Sequence, residues 1–112
     1  MTKPSTKAES LRGALDLLVL RVLRAEPLHG YAIARLIREL TDDALRIEEG
    51  SLYPALYRME RAGWVEASWD KNQNNRRVRV YELTPAGERQ LAAEVTGWES
   101  FARAVSKVVE SA

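Results

Sequence analysis

The segment Glu49–Gly63 constrains the fold of this chain more than any other stretch, because its pattern fits a helix with two unlike faces. Helical periodicity places one apolar side together: Leu52, Ala55, Leu56 and Met59. The other side is polar and aromatic: Tyr53, Pro54, Tyr57, Arg58 and Arg61. A helix that only packs would carry mixed lysine and glutamate on its outer face. We therefore expect these rings and hydrogen-bond donors to project into solvent, and we expect Gly63 to end the helix.

A strand, a polar loop and a second strand follow this helix. Residues 64–69 and 78–83 alternate apolar with polar side chains, which is typical of paired strands. The loop between them, Asp70–Arg77, is turn-prone, and its Asn74 and Asn75 fit turn geometry better than base recognition. Residues 71–79 hold four cations and no carboxylate. The sequence therefore predicts a basic hairpin, or wing.

Two further helices are predicted before this segment. Ser10 can cap the first, Leu11–Arg24, after a flexible arm of residues 1–10. Apolar side chains cover nearly the whole circumference of that helix, so part of its surface is expected to meet another subunit. The second helix is His29–Leu40, with an inner face of Ile33, Leu36, Ile37 and Leu40. Leu45–Ile47 is predicted to form one short strand.

The last predicted helix carries a pattern typical of helix pairing. Thr84 can cap it, and Pro85 suits its first position. Its apolar residues alternate spacings of four and three, as in a coiled-coil seam: Leu91, Val95, Trp98, Ala102, Val105 and Val109. The expected fold is mainly α with a small β-hairpin. It divides into the arm, a winged helix-turn-helix domain (residues 11–83) and a C-terminal dimerisation helix (residues 84–112).

Composition excludes several classes of function. The 112 residues suit one globular domain, with 46% apolar and 29% charged residues. Cysteine is absent, which excludes disulfides and thiolate metal sites, and the single histidine cannot build a catalytic relay. The longest apolar run is too short for a membrane span, and the N-terminus lacks the apolar core of a signal peptide. We expect a cytoplasmic protein that is not an enzyme and uses no cofactor, metal or membrane.

Three pieces in series indicate DNA binding. The second helix can cross the DNA backbone, the third can enter the major groove, and the wing can reach phosphates or the adjacent minor groove. Arginines of the third helix suit guanine edges, and its tyrosines suit bases or phosphates. The residues predicted from this pattern are Tyr53, Tyr57, Arg58, Arg61, Arg76, Arg77 and Arg79. The net charge of +1 favours nucleic acid only weakly, but the basic wing supplies a local phosphate-contact zone. The alternative is a winged-helix module that binds another protein through the same face.

Two residues permit more than one interpretation. His29, near a helix start, favours a local hydrogen bond over catalysis. Trp98, with Phe101 one turn further along, is either a large anchor in a dimer core or, together with its symmetry mate, one wall of a slot for a flat apolar ligand. In the second interpretation, smaller neighbours in the seam leave the room for that ligand. These neighbours are Val95, Ala102 and Val105.

Several blocks of the sequence resemble the PadR family of bacterial transcriptional regulators, in particular its short members with a single C-terminal helix. The blocks are Leu11–Leu20, Leu28–Ile33, Glu48–Leu56, Asn74–Arg77 and Tyr81–Gly87. The resemblance covers nearly the whole chain, and the run Gly-Ser-Leu-Tyr-Pro-Ala-Leu before a basic wing is highly specific. Val80 is a departure, because relatives often carry an aromatic residue there.

This resemblance implies a homodimeric winged helix-turn-helix protein that binds double-stranded operator DNA. Such proteins are usually repressors, and in many members a small aromatic or drug-like effector relieves repression. Dimerisation is implied for the first and last helices, and DNA contact for the third helix and the wing. The positions carried over are Ser51, Tyr53, Pro54 and Tyr57 in the helix, and Arg76 and Arg77 in the wing. We expect the operator to be an inverted repeat.

Overall fold

The computed structural model describes the backbone of residues 7–111 and the side chains of residues 14–111. Across these residues the elements are α1 (Lys7–Ala25), β1 (Leu28–His29), α2 (Gly30–Leu40), α3 (Glu49–Arg61), β2 (Val65–Lys71), β3 (Arg77–Leu83) and α4 (Pro85–Val109). The first helix begins earlier than predicted, so Ser10 lies inside α1 and does not cap it. Of the predicted arm, Lys7–Ser10 is helical, and residues 1–6 lie outside the described part of the chain.

The core lies between the helices and one face of the sheet. Its fully buried side chains are Val19, Leu20, Ile33, Ile37, Leu52, Leu56, Met59 and Val65. All four residues predicted for the inner face of α3 are buried, which confirms the two-faced reading of that helix. Burial of large aliphatic side chains from every layer supplies the main stabilisation of the fold.

The second helix follows the predicted course with one exception. The backbone N–H of Ala32 donates to Nδ1 of His29 at 3.2 Å, so the only histidine of the chain caps α2. This confirms the local role predicted for it. Ile33 and Ile37 are buried, but Leu40 is 69% exposed and does not belong to the inner face. The last turn of α2 extends past the core, where the hydroxyl of Thr41 bonds to the carbonyl of Ile37.

The sheet has three antiparallel strands in the order β1-β3-β2. The predicted strand at Leu45–Ile47 is wrong, since that stretch is a loop, and the third strand is Leu28–His29. Two left-handed residues, Asp42 and Asp43, turn the chain sharply after α2. Thr41 then holds the loop, because its hydroxyl accepts the N–H of Leu45 at 3.1 Å. The extended chain after α1 instead passes beside β3 and pairs with it.

The corner between α3 and β2 fixes the start of α4. Gly63 ends α3 in the left-handed region, with φ of 81°, as predicted. The Thr84 hydroxyl donates to the carbonyl of Gly63 at 2.6 Å and accepts the N–H of Gly87 at 3.0 Å, which confirms Thr84 as the cap of α4. Gly87 lies so close to the carbonyl oxygen of Trp64 that no side chain fits there.

The first turns of α4 pack against the body of the protein, and the later turns project from it. Leu91 is buried and Val95 is half-buried against the core. Beyond them the large apolar side chains are exposed: Trp98, Phe101, Val105, Val108 and Val109. Within the described residues, the predicted seam therefore has no cover over its outer half. Among the described residues, 7–111, no helix is both long and apolar enough to cross a bilayer.

Candidate nucleic-acid interface

The outer face of α3 presents two tyrosines and one arginine. Tyr53 is 43% exposed and Tyr57 is 61% exposed. The Arg61 guanidinium lies 5.8 Å from the centroid of the Tyr57 ring and 3.4 Å from its hydroxyl. Helical spacing of four residues brings these two side chains together, and the cation stacks on the ring. The pair therefore presents an aromatic ring and a guanidinium group together on the exposed side of α3.

The start of α3 adds backbone groups to this face. Ser51 and Pro54 are both exposed, as predicted for this side of the helix. Pro54 has no N–H, so the carbonyl of Gly50 lacks its α-helical donor. Glu48 precedes the helix without a side-chain cap, and the first turn keeps free N–H groups. This end of α3 thus offers both donors and an acceptor.

Arg58 does not belong to the exposed face, and its predicted projection into solvent is wrong. Its guanidinium donates two hydrogen bonds to Asp16 of α1, at 2.8 and 2.9 Å. The hydrogen bond with Asp16 raises the pKa of Arg58, and Glu94 of α4 adds a smaller attraction. A largely buried carboxylate requires a partner, and Arg58 supplies it. We therefore remove Arg58 from the set of candidate DNA contacts.

Tyr53 connects α3 with the beginning of α2. Its ring lies against Gly30, where an added Cβ atom would stand 2.8 Å from the ring and its hydroxyl. Glycine is therefore required at this position if Tyr53 is to keep its place. The contact fixes the ring of Tyr53 in a defined orientation while leaving part of it exposed.

The tip of the wing is organised by one asparagine. The side-chain oxygen of Asn72 accepts the N–H groups of Asn74 and Arg76, at 2.9 and 3.0 Å. Asn75 adopts a left-handed conformation, with φ of 60°, which suits asparagine better than most residues. The asparagines therefore shape the turn, as predicted, and the Arg76 side chain is exposed at its end.

An aromatic residue that the sequence did not single out organises the wing arginines. Trp69 is 59% exposed and contacts two guanidinium groups, with that of Arg77 at 4.7 Å and that of Arg79 at 5.9 Å from its ring centroid. Arg79 also donates to Glu60 of α3 at 2.8 Å, so it ties the wing to that helix. Both arginines are exposed, but only Arg79 is held by a carboxylate of α3. The signal for Trp69 was its cross-strand position opposite Arg79, which follows only from the register.

Residues of α2 complete the surface, and they too were missed. Tyr31 is exposed, stacks on His29 and has the Arg35 guanidinium 5.9 Å above its ring. A shallow groove of about 340 Å³ joins the start of α2, α3 and the wing. Its lining is His29, Gly30, Tyr31, Tyr53, Asn72, Arg77, Val78 and Arg79. The three predicted DNA-contacting elements therefore meet on one continuous surface.

The predicted effector residues lie elsewhere, on α4. The rings of Trp98 and Phe101 are 6.3 Å apart and tilted by 44°. They line an open groove of about 370 Å³ against α1, with Ala14, Leu17, Gln90, Ala93, Glu94 and Gly97. This groove opens on the side of Trp98 that faces α1, and the slot beside Val95, Ala102 and Val105 that two copies of Trp98 would flank in a dimer stays a prediction.

This fold, with a two-faced third helix and an arginine-bearing hairpin on one surface, defines a winged-helix protein. The family model described as the transcriptional regulator PadR-like family matches residues 19–93. The chain belongs to this family, whose members are DNA-binding transcriptional regulators and not enzymes.

Individual relatives agree with this assignment. The chain is 35% identical over 97 residues to the transcriptional regulator Rv3488 of Mycobacterium tuberculosis, covering 87% of each protein. The structure of a transcriptional regulator from Clostridium thermocellum superposes with a TM-score of 0.84 at 28% identity, covering 91% of this chain and 99% of that one. A PadR family regulator from Eggerthella lenta gives a TM-score of 0.76 at 33% identity, covering 94% of this chain and 90% of that one. The predicted family and fold class are thereby confirmed.

Proposed function

We propose that this regulator is a cytoplasmic, homodimeric repressor that binds an inverted-repeat operator. In this proposal α3 enters the major groove and the wing contacts the backbone. The observation that carries it is the continuous surface formed by the exposed side of α3, the start of α2 and the wing. Helix insertion beside a basic hairpin is how winged helices address duplex DNA.

The residues divide into two roles within this interface. Tyr53, Tyr57 and Arg61 present ring faces and donors that can discriminate base edges, and Ser51 and Pro54 are exposed on the same helix. Arg76 and Arg77 stand at the end of the wing and suit phosphates. Arg79 holds the wing against Glu60, so we assign it a positioning role in place of direct contact.

Salt dependence of DNA binding tests this division of roles. Arg76→Ala and Arg77→Ala should weaken binding to operator and random duplex alike, and each should make the slope of log affinity against log salt shallower by about 0.9. Tyr57→Ala and Arg61→Ala should weaken operator binding more than random binding. Arg89→Ala is the matched charge control. Arg89 is exposed on α4, and α4 begins at the end of β3 that is far from the wing tip.

The alternative, a module that binds another protein through the same surface, predicts a different result. Binding to duplex DNA carrying the gene's own promoter would then be weak at every salt concentration, and the wing variants would match the Arg89→Ala control. Either finding would overturn the operator proposal. An inverted repeat near the gene, protected by the wild-type protein in footprinting, would support it.

The homodimer is supported by the exposed apolar side of α4. Its outer turns carry five large apolar residues on one side, and a patch of this kind is typical of a subunit interface. Phe101→Glu should convert the dimer to a monomer in analytical ultracentrifugation, because it buries a charge in the proposed interface. Ser100→Glu, on the opposite side of the same helix, should leave the dimer intact. A wild-type monomer at micromolar concentration would contradict the proposal.

We further propose that an effector binds in the groove beside Trp98. The indole and the Phe101 ring offer apolar walls, and Glu94 offers one negative charge, which together suit a flat aromatic compound. Wild type and Trp98→Leu should be titrated with planar dyes while operator binding is followed. Weaker dye binding and weaker release from DNA in the variant would support the site. Equal values in both proteins would leave Trp98 as a packing residue.

A further inference from the structure

A second basic site lies beside the candidate interface, between α2, the loop before α3 and the first turn of α3. It is a cavity of about 170 Å³. Its lining is Gly30, Tyr31, Ala34, Arg35, Arg38, Arg46, Ile47, Glu49, Leu52 and Tyr53. Three of these side chains are cationic and one is acidic, so the formal charge around the cavity is positive. Its volume is sufficient for one phosphate group.

The arginines reach this cavity from two separate elements. Arg35 and Arg38 project from α2, and Arg46 projects from the loop. Arg35 is bridged to Glu39 at 3.7 Å and Arg38 to Asp43 at 3.4 Å, but each pair is about half exposed. Solvent-exposed pairs of this geometry are weak, so both guanidinium groups can turn toward a stronger anion. Arg46 is exposed and forms no ion pair within the described residues.

Two tyrosines place this cavity next to the candidate nucleic-acid interface. Tyr31 and Tyr53 line both the cavity and the groove that leads to the wing. A duplex seated on α3 would therefore pass directly over the cavity opening. The hydroxyls of Tyr31 and Tyr53 can donate to a phosphate oxygen, as the guanidinium groups can.

We propose that this cavity binds one phosphodiester of the DNA backbone through Arg46 and Arg35. This rests on the proposed function, and it adds a contact that is separate from the wing. The protein would then contact the DNA backbone on both sides of Tyr53, through the wing arginines on one side and through this phosphate site on the other. These two sets of contacts would fix how far α3 enters the major groove. Backbone contacts would thereby help to set the position of the protein along the duplex.

The test uses the full chain with Arg46→Ala, Arg35→Ala and the conservative Arg46→Lys. Each alanine variant should lose affinity for operator and random duplex by the same factor, with a salt slope shallower by about 0.9. Arg46→Lys should recover part of the loss, because it restores the charge but not the fork of donors. Arg89→Ala serves as the charge control, and thermal melting confirms that every variant is folded.

Phosphate ethylation interference identifies the contact directly. In wild type, ethylation should block binding at one phosphate in each half-site in addition to those that the wing contacts, and Arg46→Ala should become insensitive to ethylation at that phosphate alone. If the wing variants lose affinity while Arg46→Ala and Arg35→Ala bind as wild type does, this inference fails and the proposed function stands. If no variant and no wild-type protein binds duplex, the proposed function itself fails.

A free anion is the other source of the same chemistry. Inorganic phosphate should be compared with chloride at equal ionic strength. Inhibition of DNA binding by phosphate that disappears in Arg46→Ala, together with an unchanged ethylation pattern, would overturn the backbone contact in favour of a site for small phosphates. Equal effects of phosphate and chloride, with the loss of ethylation sensitivity, would support the contact with DNA.

Discussion

The carboxylate of Asp16 in α1 accepts both of its hydrogen bonds from a single guanidinium, that of Arg58 in α3. The Asp16 side chain is 11% exposed and the Arg58 side chain 33% exposed, so the pair is partly shielded from solvent. This contact joins the helix proposed to enter DNA to a helix proposed to form the dimer. A bidentate pair of this kind fixes orientation as well as distance.

Removing Arg58 should destabilise the fold, because it leaves Asp16 shielded without its partner. We expect Arg58→Ala to lower the free energy of unfolding by about 1–3 kcal/mol. Arg61→Ala, on the exposed side of the same helix, should change it by less than about 0.5 kcal/mol. Urea unfolding followed by circular dichroism measures both. Equal effects of the two substitutions would show that the Asp16 pair contributes nothing beyond the loss of an arginine.

Gly87→Ala should be among the most damaging single-methyl additions in the chain. The new Cβ would collide with the carbonyl oxygen of Trp64, and a backbone atom cannot move aside as a side chain can. Overpacking of this kind costs about 1–3 kcal/mol, although alanine is the better helix former. Gly97→Ala on the same helix meets nothing within 4 Å and should stabilise. Comparing the two melting temperatures separates collision from helix propensity. A Gly87→Ala protein as stable as wild type would contradict the packing described here.

Stability should fall at high pH through Tyr81. Burial raises the pKa of Tyr81 above its ordinary value of 10.0. The folded state therefore holds this proton more tightly than the unfolded chain does. The contribution is complete below the unfolded pKa, near 10, and is lost as pH rises through the higher folded value. The unfolding free energy of wild type should drop more steeply from pH 9 upward than that of Tyr81→Phe, whereas Tyr31→Phe, at an exposed tyrosine, should follow wild type. Parallel curves for wild type and Tyr81→Phe would disprove this link.

Trp69 should matter for DNA binding although it carries no charge. Its ring holds the Arg77 guanidinium in place, and a cation–π contact at an exposed site is worth about 0.5–1 kcal/mol, or roughly two- to five-fold in affinity. Trp69→Leu should weaken duplex binding by about this factor without changing the melting temperature, and Trp69→Phe should retain part of the affinity. Fluorescence anisotropy of a labelled duplex measures the change. An unaltered affinity in Trp69→Leu would show that the ring does not position Arg77.

Features of the fold set by local pattern could be predicted from the sequence. The inner face of α3, the two wing strands, the caps at His29 and Thr84 and the end at Gly63 all follow from spacing or from the chemistry of one residue. Each depends on neighbours within a few positions. Those elements define the winged helix, which is why the fold class follows from the sequence.

Features set by distant partners could not be predicted in this way. Arg58 pairs with a residue 42 positions earlier, and helical periodicity alone placed it with the exposed residues. The β1 strand has only two residues and exists because β3 offers it a free edge. Trp69, Tyr31, Arg35 and Arg46 enter the candidate surface only through tertiary juxtaposition. The candidate site was thus predicted in its elements but only partly in its residues.

The uninterrupted length of α4 has a consequence for spacing along DNA. The helix has 25 residues, so it is about 37 Å long, and its first turn is locked to the corner at Gly63 through Thr84. In a dimer joined at the far end of α4, a tilt of about 10° would displace the body by about 6 Å. Neighbouring base pairs are only about 3.4 Å apart. In the proposed dimer, small angular changes at the subunit contact would therefore amount to a shift of nearly two base pairs, so the length of α4 would set the half-site spacing.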